Sequence, residues 1–280
     1  MAGYDIPTQS LTALQGKRFL VVDDEPVNLQ FYQNFFEDLD LELVLANDGD
    51  QAVEQVLTHP PDYFAAVLMD IRMPGMNGTT ATQQIKAHPD WAALPIIAMS
   101  GNALAQDRDY YLQAGMCDLL AKPAPLQAII AMLVKWVAHD PAVISSHPEP
   151  PIASPSTAPP ADAQLPLTQV DVAQRLAETG LSLARYRKLL QLFATSSPPT
   201  LVELQTHLAQ QRFAAAADNA HRLAGACGNI GANQLRFRCK ALQHACDNQQ
   251  LEAAQQLLPD LQAQLKQLYQ EISELDHAAP

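Results

Sequence analysis

A doubly wound α/β domain followed by an all-α helical bundle is the architecture this sequence predicts, and three observations carry it. Over residues 17–138, five short apolar runs alternate with five helical stretches, and that alternation implies a five-stranded parallel sheet. Eight of the 26 residues in 141–166 are proline, the mark of a flexible linker with polyproline II character. From about Leu167 onward only helical periodicity remains. The expected domains are therefore 17–140 and 167–280. Residues 1–16, with Pro7 and Gly16, read as a polar lead-in rather than a core element.

Each element follows from its residues. Arg18–Val22 is a short apolar strand. Pro26 to about Leu39 is a helix, with proline early and Asp24 or Glu25 capping it. Strands are predicted at Leu41–Ala46, Phe64–Met69, Pro95–Met99 and Asp118–Ala121. Helices are predicted at Gly49–Thr58, Thr79–His88, Leu104–Ala114 and Pro125–Ala138. Right-handed crossovers leave very few topologies for such a chain. In the second domain, Val170–Thr179 reads as a short helix ended by Gly180. Ser182 caps a helix to about Phe193, and Ser197-Pro198-Pro199 opens another through Gln210. Phe213–Gly228, Ala232–Cys246 and Leu251–Leu275 complete a bundle with short connections.

Composition narrows the function classes. Residues 1–140 hold 18 acids against seven Lys and Arg, while 167–280 hold ten of each. Neither half has the basic footprint of a nucleic-acid binder. No run of 18 apolar residues is present, so no membrane insertion is expected. No basic segment precedes an apolar core at the N-terminus, so no signal peptide is expected. Cys117, Cys227, Cys239 and Cys246 form no CxxC pair and no zinc spacing, which fits buried thiols in a reducing, cytoplasmic setting.

The chemistry gathers around Asp70. An apolar run, Phe64 to Met69, ends in this carboxylate, and Met73-Pro74-Gly75 and Asn77-Gly78 then turn the chain away. Ligand sites of open α/β sheets lie at that end of the strands. The first strand delivers Asp23 and Asp24 to the same edge, the fourth delivers Ser100 and the fifth Lys122. Charges about 4 Å apart repel by about 4 kcal/mol at an effective dielectric of 20, so three carboxylates need compensation. A hard divalent cation such as Mg²⁺ suits oxygen ligands, and Lys122 adds a further positive charge. A metal, a hydroxyl and an ammonium around one carboxylate suit phosphoryl transfer.

Residues 17–138 resemble the receiver domain of two-component response regulators, a flavodoxin-like fold. The resemblance rests on Asp23-Asp24, on the stretch from Met69 to Gly78, on Ser100-Gly101-Asn102-Ala103 and on Ala121-Lys122-Pro123. It implies that Asp70 is the phosphoacceptor and that Asp24 binds Mg²⁺ directly, with Asp23 acting largely through water. The backbone carbonyl of Arg72 would be a further ligand. Ser100 and Lys122 would contact the phosphoryl group. Three residues before the lysine the family usually has Tyr or Phe, which reorients when the hydroxyl moves; here it is Leu119. That favours a receiver that passes phosphate along over one that drives a conformational output.

In the second domain, His221 and Gly225 lie four apart on one helical face. Glycine inside a helix costs about 1 kcal/mol relative to alanine, and its absent side chain lets another protein approach the imidazole. Leu223, Ala226 and Ile230 suit the core. Gly225, Gly228 and Gly231 are not a phosphate loop, because no strand precedes them and no Lys-Ser/Thr follows. His221-Arg222-Leu223-Ala224-Gly225-Ala226 and Leu242-Gln243-His244-Ala245 resemble a histidine-containing phosphotransfer (HPt) domain, which implies His221 as phosphoacceptor. Ala224 replaces the family's lysine, and Arg222, about 100° around the helix, is the nearby cation.

The order receiver then HPt resembles the C-terminal part of hybrid sensor histidine kinases. The chain shows no ATP-binding kinase domain of its own. It is expected to be a phosphotransfer protein within a multistep phosphorelay. An upstream histidine kinase would load Asp70, and His221 would pass the group to a downstream response regulator receiver. A phosphate sink, and a non-enzymatic signalling adaptor with an inactive HPt domain, are the alternatives.

Overall fold

The structure is a computed structural model and describes residues 8–101, 105–122, 124–137, 165, 167–179 and 181–277. Asn102, Ala103, Pro123, Gly180 and the proline-rich segment up to Gln164 lie outside the described residues. The chain divides into two compact units.

The first unit is a five-stranded, wholly parallel sheet of order β2-β1-β3-β4-β5. Its strands are β1 (Arg18–Val22), β2 (Glu42–Ala46), β3 (Ala66–Asp70), β4 (Ile96–Ser100) and β5 (Asp118–Ala121). The three central strands are buried along nearly their whole length, as expected where helices cover both faces. Their apolar runs were readable for that reason. Strand β3 begins two residues later than the apolar run suggests, so Asp70 is itself within the ladder, opposite Met99.

Around the sheet lie α2 (Pro26–Asp38), α3 (Gly49–Leu57), α4 (Gly78–Lys86), α5 (Ala105–Gln113) and α6 (Leu126–Val137). The backbone carbonyl of Glu25 accepts from Asn28 and Leu29, which opens α2. A short 3₁₀ turn, Pro89–Trp91, precedes β4. The expected lead-in needs correction, because Thr8–Leu14 forms helix α1, which packs on α6, and Leu14 is fully buried.

The second unit contains a short helix, α7 (Val172–Thr179), and four long ones: α8 (Leu183–Ala209), α9 (Phe213–Asn229), α10 (Asn233–Asp247) and α11 (Leu251–His277). Each long helix packs on two others, in the cycle α8–α9–α10–α11–α8, which is a four-helix bundle. Its core is a set of stripes at helical spacing, such as Leu235, Cys239, Leu242 and Cys246 on α10. Ser182 caps α8 as expected, its hydroxyl accepting from the Arg185 N–H at 3.3 Å.

The two helices predicted for 182–210 are one, with Pro198 and Pro199 inside it. Tyr186, Leu189, Leu190, Phe193, Ser197, Thr200, Leu201, Leu204 and Leu208 form a continuous buried stripe across the prolines. Burying that stripe outweighs the roughly 3 kcal/mol that each interior proline costs. The Ser197 hydroxyl donates to the Phe193 carbonyl just ahead of the pair.

Candidate functional site

The carboxyl ends of β1, β3, β4 and β5 meet at one edge of the sheet. Backbone hydrogen bonds set their heights. The Asp23 N–H donates to Ala46 at 3.1 Å, Ile71 to Met99 at 3.2 Å and Lys122 to Ser100 at 2.7 Å. One ligand atom from each of Asp23, Asp24 and Asp70 lies within 4.8 Å of the others. The Lys122 ammonium donates to Asp23 Oδ2 at 2.5 Å and to Asp70 Oδ2 at 2.6 Å. The other Asp70 oxygen, Oδ1, accepts from the Arg72 N–H at 3.2 Å.

Burial alone pulls the Lys122 proton affinity down, but the Asp23 and Asp70 carboxylates reverse this and hold the ammonium above its ordinary value. Three carboxylates against one ammonium leave the cluster negative. All its charged donors are hard oxygens, so the donor set fits a divalent cation of the Mg²⁺ type.

Glycine is required where α4 begins. A Cβ on Gly78 would stand 2.1 Å from the Asp70 carbonyl oxygen and 2.9 Å from Met69 Cγ. The turn before it is closed by Asn77, whose side-chain oxygen accepts from the Thr80 N–H at 2.9 Å and the Thr79 hydroxyl at 2.7 Å. The Asn-Gly pair therefore fixes how close the chain passes behind Asp70.

Asp23, Asp24, Asp70, Ser100 and Lys122 thus share one edge. Two tyrosines join them that the sequence reading did not single out. Tyr111 of α5 places its hydroxyl 3.4 Å from Ser100 Oγ. The Tyr32 hydroxyl on α2 donates to the Met99 sulfur at 3.3 Å. The Tyr32 phenol is held above its ordinary pKa, first by burial; Lys122 opposes this, and Asp23 and Asp70 add to it. Single aromatic residues in amphipathic helices carry no pattern that separates site from core. Leu119 packs against the core beside β4 and brings no polar atom to the edge.

On α9, His221 is half-buried and directs Nδ1 at Gln243 Oε1 of α10, 3.3 Å away. A proton on Nδ1 would let it donate to this oxygen and would leave the lone pair on Nε2. Gln243 stands in the stretch Leu242–Ala245, but its role depends on how α9 and α10 pack. Gly225 follows His221 by one helical turn, and Arg222 is its neighbour in sequence. Leu223, Ala226 and Ile230 are buried, as their spacing suggested. At the far end of α9, the Asn229 carbonyl accepts from Arg175 Nε at 2.9 Å and the Ile230 carbonyl from the Tyr186 hydroxyl at 2.6 Å.

All four cysteines are free thiols, with Cys227, Cys239 and Cys246 buried. Among the described residues no helix is long and apolar enough to cross a membrane.

Residues 19–134 match the family model of the response regulator receiver domain, and residues 188–274 match that of the Hpt domain. The chain is 30% identical over 237 residues to the sensor histidine kinase GacS of Pseudomonas protegens, covering 84% of this chain and 24% of that protein. It is 30% identical over 260 residues to the signal transduction histidine-protein kinase BarA of Shigella flexneri, covering 93% and 26%. The chain spans about a quarter of the length of these curated relatives. The receiver domain of sensor histidine kinase PA1611 from Pseudomonas aeruginosa, solved with a magnesium ion in its active-site cleft, is 37% identical. That match covers 44% of this chain and 99% of the solved one, with a TM-score of 0.41.

Proposed function

Because the chain carries a response regulator receiver domain followed by an Hpt domain, we propose that it is an intermediate of a multistep phosphorelay, loaded on Asp70 and unloaded through His221. The observation that carries this reading is the Lys122 ammonium shared between Asp23 and Asp70 at the edge where three carboxylates converge.

In the first step, an Asp70 carboxylate oxygen attacks the phosphorus of an upstream kinase's phosphohistidine. The P–N bond breaks as the P–O bond forms, and the departing imidazole nitrogen takes up a proton. Asp70 is left as an acyl phosphate. Lys122 sets its positive charge beside the phosphoryl oxygens, and the Ser100 hydroxyl donates to one of them. Asp23, Asp24 and Asp70 would hold Mg²⁺, with the Arg72 carbonyl as a further ligand. When bound, that ion neutralises charge on the phosphoryl oxygens.

In the second step, Nε2 of His221, in this molecule or another, attacks the phosphorus and the Asp70 carboxylate leaves. With its proton on Nδ1, facing Gln243 Oε1 at 3.3 Å, the imidazole would present Nε2 as the nucleophile. Gly225 gives a partner close access to the imidazole, and Arg222 supplies a nearby cation. A downstream receiver aspartate then takes the group. The domains proposed are 17–140 and 167–280, working in the cytoplasm, where the four free thiols stay reduced.

The test is to incubate the chain with Mg²⁺ and a cognate phosphodonor kinase, then separate acid-stable from base-stable label. Acyl phosphate is lost in base and phosphohistidine in acid. Asp70→Asn is expected to abolish all label. His221→Gln is expected to keep label on Asp70 and lose the base-stable fraction. Label on Asp70 that reaches no histidine, here or in a partner, overturns the relay.

A further inference from the structure

We infer that Lys240, beside Arg236, is the charge partner of the phosphoryl group on His221, supplied across the seam between α9 and α10. The inference rests on the reading of His221 given above. Two contacts fix the antiparallel register of these helices. His221 Nδ1 faces Gln243 Oε1 at 3.3 Å, and the Cys227 thiol hydrogen-bonds Cys239. That register sets Lys240 level with Gly225, one turn along from His221, and Arg236 one turn further. Arg236, Lys240 and Gln243 follow the i, i+4, i+7 spacing of a single helix face, and all three are half-buried. Each directly follows a member of the buried α10 row, Leu235, Cys239 and Leu242. With Gln243 against His221, this stripe borders the core on the α9 side. Arg238 lies on the other flank, where it pairs with Asp260 of α11.

Charge is graded along the seam. Asp218 precedes His221 by one turn of α9. Asp247, which accepts from the Gln243 amide at 3.5 Å, follows Gln243 by one turn of α10. Both acids therefore stand at one end and both cations at the other. Ala224 is buried and brings no charge, and Arg222 sits about 100° around α9, off the seam. Burial, and then the Arg236 charge, lower the proton affinity of Lys240; burial lowers that of Arg236. Cations held close together and partly out of water attract an anion more strongly than they would in bulk solvent. A phosphoryl group carries about two negative charges near neutral pH. On His221 it is repelled from the acidic end and drawn over Gly225, which has no side chain to stand between it and Lys240. An ammonium on a flexible stem can follow the group as it arrives and leaves.

The test uses the full chain carrying Asp70→Asn, so that His221 is the acceptor followed, with phosphoramidate as the donor. Intact mass and base-stable label report the adduct, and ³¹P resonances follow the second ionisation of its phosphoryl group. A neighbouring ammonium favours the dianion. Lys240→Met is therefore expected to raise the midpoint of that ionisation by roughly half a pH unit, and the half-saturating phosphoramidate concentration by about threefold. Lys240→Arg, which keeps the charge, is expected to keep both values. Lys266→Met, the same charge change at an exposed position of α11, is expected to move neither. An unmoved midpoint in Lys240→Met, or an equal change in Lys266→Met, overturns the inference and leaves His221 as acceptor. Absence of a base-stable adduct that His221→Gln removes overturns the reading of His221, and this inference with it.

Discussion

At the scale of single residues, Gly78 shows how a site is held from behind. Its hydrogen faces the Asp70 carbonyl, where any Cβ would clash. Gly78→Ala is expected to destabilise the first unit by about 2 kcal/mol and to reduce phosphoryl uptake, read by urea titration and by label on Asp70. Gly75 differs: its φ is +73° and nothing lies within 4 Å of an added Cβ. Gly75→Ala is expected to cost only the left-handed backbone strain, roughly 1 kcal/mol, with uptake kept.

Cys117 sets a pH dependence. Burial, helped by the neighbouring Asp118 charge and opposed by Lys86, pushes its thiol up to about 12 from an ordinary 9.0. The folded chain keeps this proton where the unfolded chain loses it. The contribution to stability is therefore whole below pH 9 and falls as pH rises towards 12. Urea midpoints at pH 8 and pH 10.5 are expected to fall less in Cys117→Ala than in the unsubstituted chain. The carboxylates and Lys122 were visible in the sequence because each ends an apolar run. Tyr32, Tyr111 and Gln243 were not, since their neighbours come from other elements and no local pattern distinguishes them.

At the scale of elements, the strands were the easiest to read. Buried parallel strands are unbroken apolar runs, and four of their ends carry polar residues. The helices misled where one residue type overrode a longer pattern. Pro198-Pro199 suggested a break, yet the 3–4 spacing of apolar residues from Tyr186 to Leu208 runs straight through. Helix α1 was hidden for the opposite reason, since its polar composition conceals the single buried Leu14.

Three connections of the bundle end alike. Gln211, Gly231 and Gln249 adopt φ of 56°, 79° and 56°. The following N–H groups of Arg212, Ala232 and Gln250 reach back five residues at 2.8 Å, a Schellman closure in each case. Only the glycine signals this in sequence. Pro198→Ala and Pro199→Ala, each restoring a helical N–H, are expected to stabilise the helical unit by about 1–2 kcal/mol, read from its urea midpoint.

At the scale of the whole molecule, charge is divided by unit. All of the net −13 lies before residue 167, and the bundle segment is balanced. In the proposed relay the group would pass between an acidic receiver domain and a neutral Hpt domain, two dissimilar surfaces. Mixing Asp70→Asn with His221→Gln chains is expected to restore base-stable label, at a rate that rises with concentration if the group crosses between molecules. EDTA present from the start is expected to prevent labelling of Asp70 in every variant that keeps this residue, because the carboxylate cluster then lacks a divalent counter-charge.

The pairing of Asp23 with Lys122 spans 99 residues, and it is made by opposite ends of one domain. During synthesis at 5–20 residues per second, roughly 5–20 s separate the two ends. Throughout that interval the nascent chain carries its acidic edge without the ammonium that completes it. Under the proposed relay, competence to receive phosphate would arrive only when the fifth strand closes the sheet, and a half-made domain would be no acceptor for an upstream kinase.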